Sequence, residues 1–374
     1  MDKESEILER LRGMRAGDPK FEDGKILSSV STKPLGIAIE AFKIFADTNA
    51  LDTHIFSKVE ELEKECIGWI GNLLHNRLAR GYITTGGTEA NIFALWVMRE
   101  NSKKRQIIVP RSAHYSVERA ANLLGLEIIP AALDENFKAD AGDIERNINE
   151  NTLGIVLTAG TSALGAVDPV EDVSDLISNS GEKIFLHVDA AFGGFIIPFL
   201  KPGIMFDFEL ENVTSMTIDP HKMGMAPIPS GAVLLKNDSL LDKITISPPY
   251  LPFKTNTLSG TRSGGAIAAT YATLNYIGVD GYEKIVGGCM ENTKLLCSEL
   301  SKLDCVEKAA EPELNIVGIM VSGSDNSEIV KKLGKRGWKV SLNEKPKCIR
   351  VVVMPHTSRE NILCFIDDLR ECTG

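Results

Sequence analysis

The chain has no Cys-x-x-Cys pair, and none of its six histidines lies three or four residues from another, so the spacings of ordinary zinc sites are missing. Its seven cysteines are an odd number and scattered. Cys289, Cys297 and Cys305 recur every eight residues without needing to share a helix face, and they read as idle thiols of a cytoplasmic protein. A basic excess is absent too. The formal net charge is -10 and the pI about 5.3, which argues against bulk binding to nucleic acid or an anionic membrane and leaves only a local basic pocket for an anionic ligand. The opening Met1-Asp2-Lys3-Glu4-Ser5-Glu6 is charged and has no apolar core, so no signal peptide is expected. No apolar run reaches membrane-spanning length, and no repeat or low-complexity segment is visible. What remains is an ordinary soluble composition, 43% hydrophobic and 25% charged, over 374 residues, enough for a sizeable core and two structural units.

Hydrophobic periodicity predicts a helix over 2–13 with Ile7, Leu8 and Leu11 on one stripe, another over 37–45 and a long one over 58–74. Strands and helices then alternate: strand 82–84, a helix from Glu89, strand 106–109, helix 115–124, strand 127–131, helix 140–148, strand 152–157, helix 171–179 and strand 183–188. Such alternation predicts a mostly parallel sheet covered on both faces. A returning strand at 231–235, a Pro-rich loop at 247–265 and helices over 266–277 and 282–303 follow. The remainder predicts a small α+β domain: strand 313–321, helix 326–336, strands 338–342 and 348–354, and helix 358–371. The expected division is an N-terminal helical segment at 1–52, a large domain at 53–280 and a small C-terminal domain at 281–374.

Two stretches point to chemistry. In Ser215-Met216-Thr217-Ile218-Asp219-Pro220-His221-Lys222 a strand pattern ends on a His beside a Lys. A lone Lys is ordinarily a solvated loop residue. Desolvated at a strand exit, however, it favours its neutral, nucleophilic form, which condenses with aldehydes. Upstream, Phe185-Leu186-His187-Val188-Asp189 brings an Asp to the C-terminal end of a buried strand, where open α/β sheets bind ligands. An aldehyde-bearing pyridoxal ring requires both groups, the Lys for an imine and the carboxylate to keep the ring nitrogen protonated. A third stretch, Thr85-Gly86-Gly87-Thr88-Glu89, follows a strand and opens a helix. Its free N–H groups and the hydroxyl at Thr88 suit a phosphate, although an ordinary capped turn has the same pattern.

These motifs, His187-Val188-Asp189-Ala190-Ala191-Phe192-Gly193-Gly194, Asp219-Pro220-His221-Lys222-Met223-Gly224 and Thr85-Gly86-Gly87-Thr88-Glu89-Ala90-Asn91, resemble those of fold-type I pyridoxal-phosphate enzymes. Within them they are most similar to group II amino-acid decarboxylases of the archaeal aspartate/tyrosine type. The resemblance implies pyridoxal 5'-phosphate held by Lys222 and Asp189, its phosphate at Gly87 and Thr88, and its ring stacked on His114. It also implies roles for Thr161 at the 3'-oxygen or the substrate carboxylate, for His187 in the Asp network, and for His221 at the phosphate or reacting centre. Thr261 is expected near a phosphate across a dimer, Tyr250 on a mobile loop as the donor of a proton to Cα, and Arg350 on the substrate carboxylate. For His114 and His187 the residues alone read equally as a surface-loop and a satisfied core histidine, and for Arg350 as an exposed ion-pair partner. The implied protein is a cytoplasmic homodimer that acts on a small amino acid: L-aspartate, giving β-alanine for coenzyme A, or L-tyrosine, giving tyramine for methanofuran. Two other readings are an aldehyde-lyase like sphingosine-phosphate lyase, disfavoured by the lack of a transmembrane segment, and a non-catalytic phosphate-binding sheet protein, which leaves Asp189 and Lys222 unexplained.

Overall fold

The computed structural model describes residues 2–200, 203–249 and 251–373. Its centre is a seven-stranded sheet. The strands are β1 (Arg80–Thr84), β2 (Gln106–Pro110), β3 (Glu127–Ala131), β4 (Thr152–Thr158), β5 (Phe185–Asp189), β6 (Val213–Ile218) and β7 (Gly231–Leu235), ordered β1-β7-β6-β5-β4-β2-β3. Only β7, the strand expected to return, runs antiparallel to its neighbours. A second, antiparallel sheet is built of β8 (Val306–Lys308), β9 (Ile316–Val321), β10 (Ser341–Glu344) and β11 (Lys347–Val352), ordered β10-β11-β9-β8. This is the expected fold-type I layout: a mostly parallel large sheet and a small α+β unit.

The helices are α1 (Lys3–Ala16), α2 (Gly36–Ile44), α3 (Ser57–Leu73), α4 (Gly87–Glu100), α5 (Tyr115–Leu124), α6 (Ala141–Asn147), α7 (Val170–Ser180), α8 (Gly264–Leu300), α9 (Asn326–Lys335) and α10 (Arg359–Thr373). The two helices expected over 266–303 are present, joined end to end within α8, where Gly278 leaves helical geometry at φ 63°. Two details differ from expectation. The strand read at 338–342 starts at Ser341, because Trp338 instead fills the small core and donates from Nε1 to Asp368 Oδ2 at 2.7 Å. The three-residue β8 carries too little apolar pattern to be seen.

Alternation along the strands assigns each residue to a face of the sheet. Leu186, Val188, Met216, Ile218, Ala232 and Leu234 join the large core with residues of α3, α7 and α8. Val233 and Leu235 pack on the other face against Ala90, Phe93 and Val97 of α4. Burying such side chains contributes about 1.5–3 kcal/mol each, which is what holds α4 flat on the sheet. On that same face β5 and β6 carry His187, Asp189, Ser215 and Thr217, all buried beneath α4. Polar groups there are tolerable only if each is hydrogen-bonded.

Residues 25–27 run along the small unit: Lys339 N donates to Lys25 O at 2.8 Å and Val352 N to Leu27 O at 2.7 Å. By contrast α1 forms as expected but buries none of its residues. Ile7, Leu8 and Leu11 are 51%, 40% and 55% exposed, so this chain offers their stripe no cap.

Candidate active site

The register of the parallel strands brings Thr158, Asp189 and Thr217 side by side at the C-terminal edge of β4, β5 and β6. Open α/β sheets bind ligands at that edge. Here a cavity of about 400 Å³ is lined by Gly86, Gly87, Thr88, Asn91, His114, Thr158, Ser162, Asp189, Asp219, His221 and Lys222, among others. The three stretches singled out in the sequence thus meet in one place. A larger cavity of about 540 Å³, beside Tyr82, Phe253 and the Arg262–Glu63 ion pair, contains neither Asp189 nor Lys222.

Helix α4 opens two residues before the expected Glu89, so Gly87 and Thr88 form its first turn. Its N-cap is Gly86, which supplies no side-chain acceptor, so the first turn, which lines the cavity, has no side-chain cap. The Glu89 carboxylate turns back to accept from Thr85 N at 2.8 Å and Thr85 Oγ1 at 2.9 Å, fixing the approach to the helix. A Cβ on Gly87 would lie 3.1 Å from Asp219 Oδ2 and 3.3 Å from Ala191 Cβ, so glycine lets the helix end sit against the strand exits.

Asp189 is buried, and its carboxylate accepts from Asn91 Nδ2 at 2.8 Å and Ala191 N at 3.1 Å. His187 is fully buried beside it, with Nε2 3.0 Å from Asn91 Oδ1 and Nδ1 2.9 Å from Ser215 Oγ. Desolvation drives the His187 pKa down to about 4, against the weaker opposing pull of Asp189, so the ring is neutral at physiological pH. His187 and Asp189, two residues apart on β5, share one strand face, and Asn91 is what joins them.

Lys222 Nζ lies 3.0 Å from Asp219 Oδ2, and His221 Nε2 lies 3.7 Å from the same oxygen. The Nδ1 of His221 is 2.6 Å from the Ser230 carbonyl and 3.3 Å from Ser230 N; the carbonyl can only accept, and the shorter contact places the proton on Nδ1. His114 is the N-cap of α5, and its Nδ1 is 2.8 Å from Ser116 Oγ. Burial lowers its pKa, opposed by Asp189 and aided by Lys222.

Other residues singled out in the sequence lie elsewhere. The Thr161 hydroxyl accepts from Ala166 N at 3.1 Å and is not in the cavity lining, where Thr158 and Ser162 stand instead. Arg350 lies behind that loop, donating from Nε to Ser162 O and from Nη1 to Ser28 O at 2.8 Å. Desolvation lowers its pKa to about 10. Thr261 is exposed and outside the cavity lining. Tyr250 lies outside the described residues. Reading the sequence gave no role to Asn91, Ser116, Thr158 or Asp219. The available signal was polarity on a face that periodicity marks as buried, at Asn91 in α4 and Asp219 after β6.

The description "Pyridoxal-dependent decarboxylase conserved domain" matches residues 26–321. A relative from Methanothrix thermoacetophila, named "Probable L-tyrosine/L-aspartate decarboxylase", is 42% identical over 98% of this chain and 95% of its own length. One from Archaeoglobus fulgidus, named "Probable L-aspartate decarboxylase", is 41% identical over 98% of this chain and 99% of its own. Among solved structures, a sphingosine-1-phosphate lyase of Burkholderia pseudomallei superposes with TM-score 0.92 at 25% identity, covering 100% of this chain and 91% of that one. A glutamate decarboxylase of Lactobacillus brevis gives TM-score 0.89 at 22% identity, covering 100% and 92%. A helix N-terminus, a buried carboxylate and a lysine converging on one sheet edge therefore agree with the match across most of the sequence: the chain belongs to the pyridoxal-dependent decarboxylase family.

Proposed function

We propose that this enzyme releases the α-carboxylate of L-aspartate, L-tyrosine or both as carbon dioxide, leaving β-alanine or tyramine. The observation that carries this reading is identity of 42% over nearly the whole length of a relative named for both substrates. The lyase, which superposes with TM-score 0.92, stands at 25%.

The cavity fits pyridoxal 5'-phosphate. The uncapped turn at Gly87 and Thr88 suits a phosphate, the Asp189 carboxylate suits a pyridine nitrogen, and Lys222 is an amine for the aldehyde. Two buried oxygens of cavity-lining residues, Thr158 Oγ1 and Asp219 Oδ1, have no protein partner, as expected where a polar ligand completes the site. When bound, the cofactor supplies an electron sink for the bond that breaks at Cα.

The protein's own groups do the rest. Asn91 and the Ala191 N–H hold the Asp189 carboxylate in place at the cavity, where it would hydrogen-bond to a ring nitrogen. Asp219 pairs with Lys222 and holds its side chain at the cavity, where the amine would meet the aldehyde. With its Nδ1 proton committed to Ser230, His221 has only Nε2 to take up or give a proton in the cavity. The imidazole of His114 is a flat wall for the ring. Thr161 acts by holding the loop that carries Ser162, and Arg350, anchored behind that loop, is assigned the substrate carboxylate. Tyr250 is assigned the proton transfer to Cα, and Thr261 the partner subunit's phosphate, in a cytoplasmic homodimer. The exposed stripe on α1 supports that assembly.

The test is to supply purified protein and pyridoxal phosphate with L-aspartate, L-tyrosine or L-glutamate and to measure carbon dioxide and amine. Release from aspartate or tyrosine is expected. A protein that binds the cofactor yet decarboxylates neither would refute the proposal.

A further inference from the structure

The hydrogen bonds beneath α4 form a chain whose direction is set at every link. Asp189, as a carboxylate, can only accept, so the group of Asn91 at 2.8 Å from it is the amide nitrogen. That orientation turns Asn91 Oδ1 toward Thr217 Oγ1 at 2.7 Å and His187 Nε2 at 3.0 Å, and both of those must donate. The second N–H of Asn91 goes to Ser116 Oγ at 2.8 Å. That bond takes one of the two lone pairs of the Ser116 hydroxyl, whose own proton has His114 Nδ1 as its neighbour at 2.8 Å. The Ser116 backbone N–H points at the same nitrogen from 3.3 Å. Two donors on Nδ1 leave the proton of a neutral imidazole on Nε2, which has no protein partner among the described residues.

We propose that Asn91 and Ser116 are positioning residues: one buried amide holds the Asp189 carboxylate and, through the Ser116 hydroxyl, fixes His114 in the tautomer that presents an Nε2–H to the cavity. His114 is thereby a hydrogen-bond donor and a flat wall, not a proton acceptor. At His221 the Ser230 N–H also lies 3.3 Å from Nδ1, but the Ser230 carbonyl is closer, at 2.6 Å, and can only accept, so this ring carries its proton on Nδ1, the opposite of His114. The two histidines of one cavity thus present unlike faces, and only His221 can accept a proton there. The significance for catalysis rests on the decarboxylase reading, but the tautomer itself does not.

The charged groups that act on His114 are Asp189, Lys222, Asp219 and Arg119. Each remains in place when Ser116 is replaced, so a change at His114 in that variant reports the hydrogen bonds, whereas Asn91→Ala also loosens Asp189 and is read beside it. The experiment is long-range proton–nitrogen spectroscopy of cofactor-free protein carrying nitrogen-15 histidine, with His114→Gln used to assign its signals. Wild type should show His114 as a single Nε2–H tautomer at neutral pH. Ser116→Ala removes a donor to the neutral ring. It should mix the tautomers and raise the titration midpoint of His114 by up to about one pH unit, the size of one net hydrogen bond. Ser116→Thr keeps the hydroxyl and should restore both. Asn91→Ala, which touches no atom of His114, should shift the same signals by a smaller amount. An Nδ1–H tautomer in wild type, or unchanged His114 signals in Ser116→Ala, would overturn the proposal. So would unchanged signals in a folded Asn91→Ala; if that variant does not fold, Ser116→Ala and Ser116→Thr decide alone. Because no turnover is measured, loss of the decarboxylase reading would leave the expected spectra unaltered, and altered spectra would leave that reading standing.

Discussion

Lys222 and Asp189 sit at the exits of adjacent strands, and their chemistry separates cleanly on substitution. Lys222→Ala should lower turnover by several orders of magnitude while the circular dichroism and melting temperature stay near wild type, since among the described residues its side chain pairs with Asp219 alone, at the cavity wall. Borohydride reduction of the loaded enzyme followed by peptide mapping should mark Lys222; a mark on another lysine would remove it from the assigned role. His187 makes a different demand, on stability. Its folded pKa of about 4 lies below the ordinary histidine value of 6.5, so the unfolded chain binds a proton first as pH falls. Stability is full above about pH 6.5 and is lost on the way down to 4, by on the order of 3 kcal/mol from this residue. Asp168 opposes it, because burial raises its pKa to about 6 and its proton favours the folded state between 3.8 and that value. The measurement is therefore a comparison of urea midpoints at pH 7 and 5 for wild type and His187→Gln. A smaller drop in the variant is expected, and an equal one would assign the pH dependence elsewhere.

At the scale of the element, α4 is where the sheet edge becomes an anion site. Gly87→Ala keeps ordinary helical backbone geometry, so the effect comes from space alone: the new Cβ presses on Asp219 Oδ2 and Ala191. Affinity for the cofactor should fall about tenfold, roughly 1.4 kcal/mol, in an absorbance titration. An unchanged affinity would place the phosphate away from this helix. The start of α4 also shows what was legible beforehand. Strand, Gly-Gly, Thr and helix were readable as an anion-binding turn because each residue type has a local backbone reason to be there. Alternation gave the faces of β5 and β6, and with them the shared side of His187 and Asp189. Asn91 was not legible as the joint between them, since one polar residue on a helix carries no information about which strand lies below it. Thr161 stands apart from the cavity lining for a related reason. After β4 the chain turns, strand alternation no longer applies, and the loop spends that hydroxyl on Ala166 while Thr158 keeps the cavity. Trp338 shows a tertiary override, in which the small core takes a side chain that local propensity assigns to a strand.

At the scale of the whole molecule, the unsolved surface is the N-terminal helix. A helix as short as α1, 14 residues, is marginal in water unless a face of it is covered. Yet none of its residues is buried, and Ile7, Leu11 and Met14 are 51%, 55% and 65% exposed. Ile44 at the end of α2 adds another large apolar side chain at 72%. Covering one such side chain contributes about 1.5–3 kcal/mol, so a second copy seated on this stripe would gain enough to order α1. The large cavity beside Tyr82 and the loop at 253–257 is a further surface that a partner could fill. Light scattering of wild type at micromolar concentration should therefore give twice the chain mass. Leu11→Asp combined with Met14→Asp puts two carboxylates on the stripe without touching any buried residue. It should weaken self-association at least about tenfold, since burying an unpaired charge costs more than the 1.4 kcal/mol that factor requires. Turnover should fall with dimer content if Thr261 serves the other subunit's site, and dilution of wild type should trace the same curve. A wild-type monomer with full activity would reject the assembly. A dimer untouched by the double substitution would move the interface off α1.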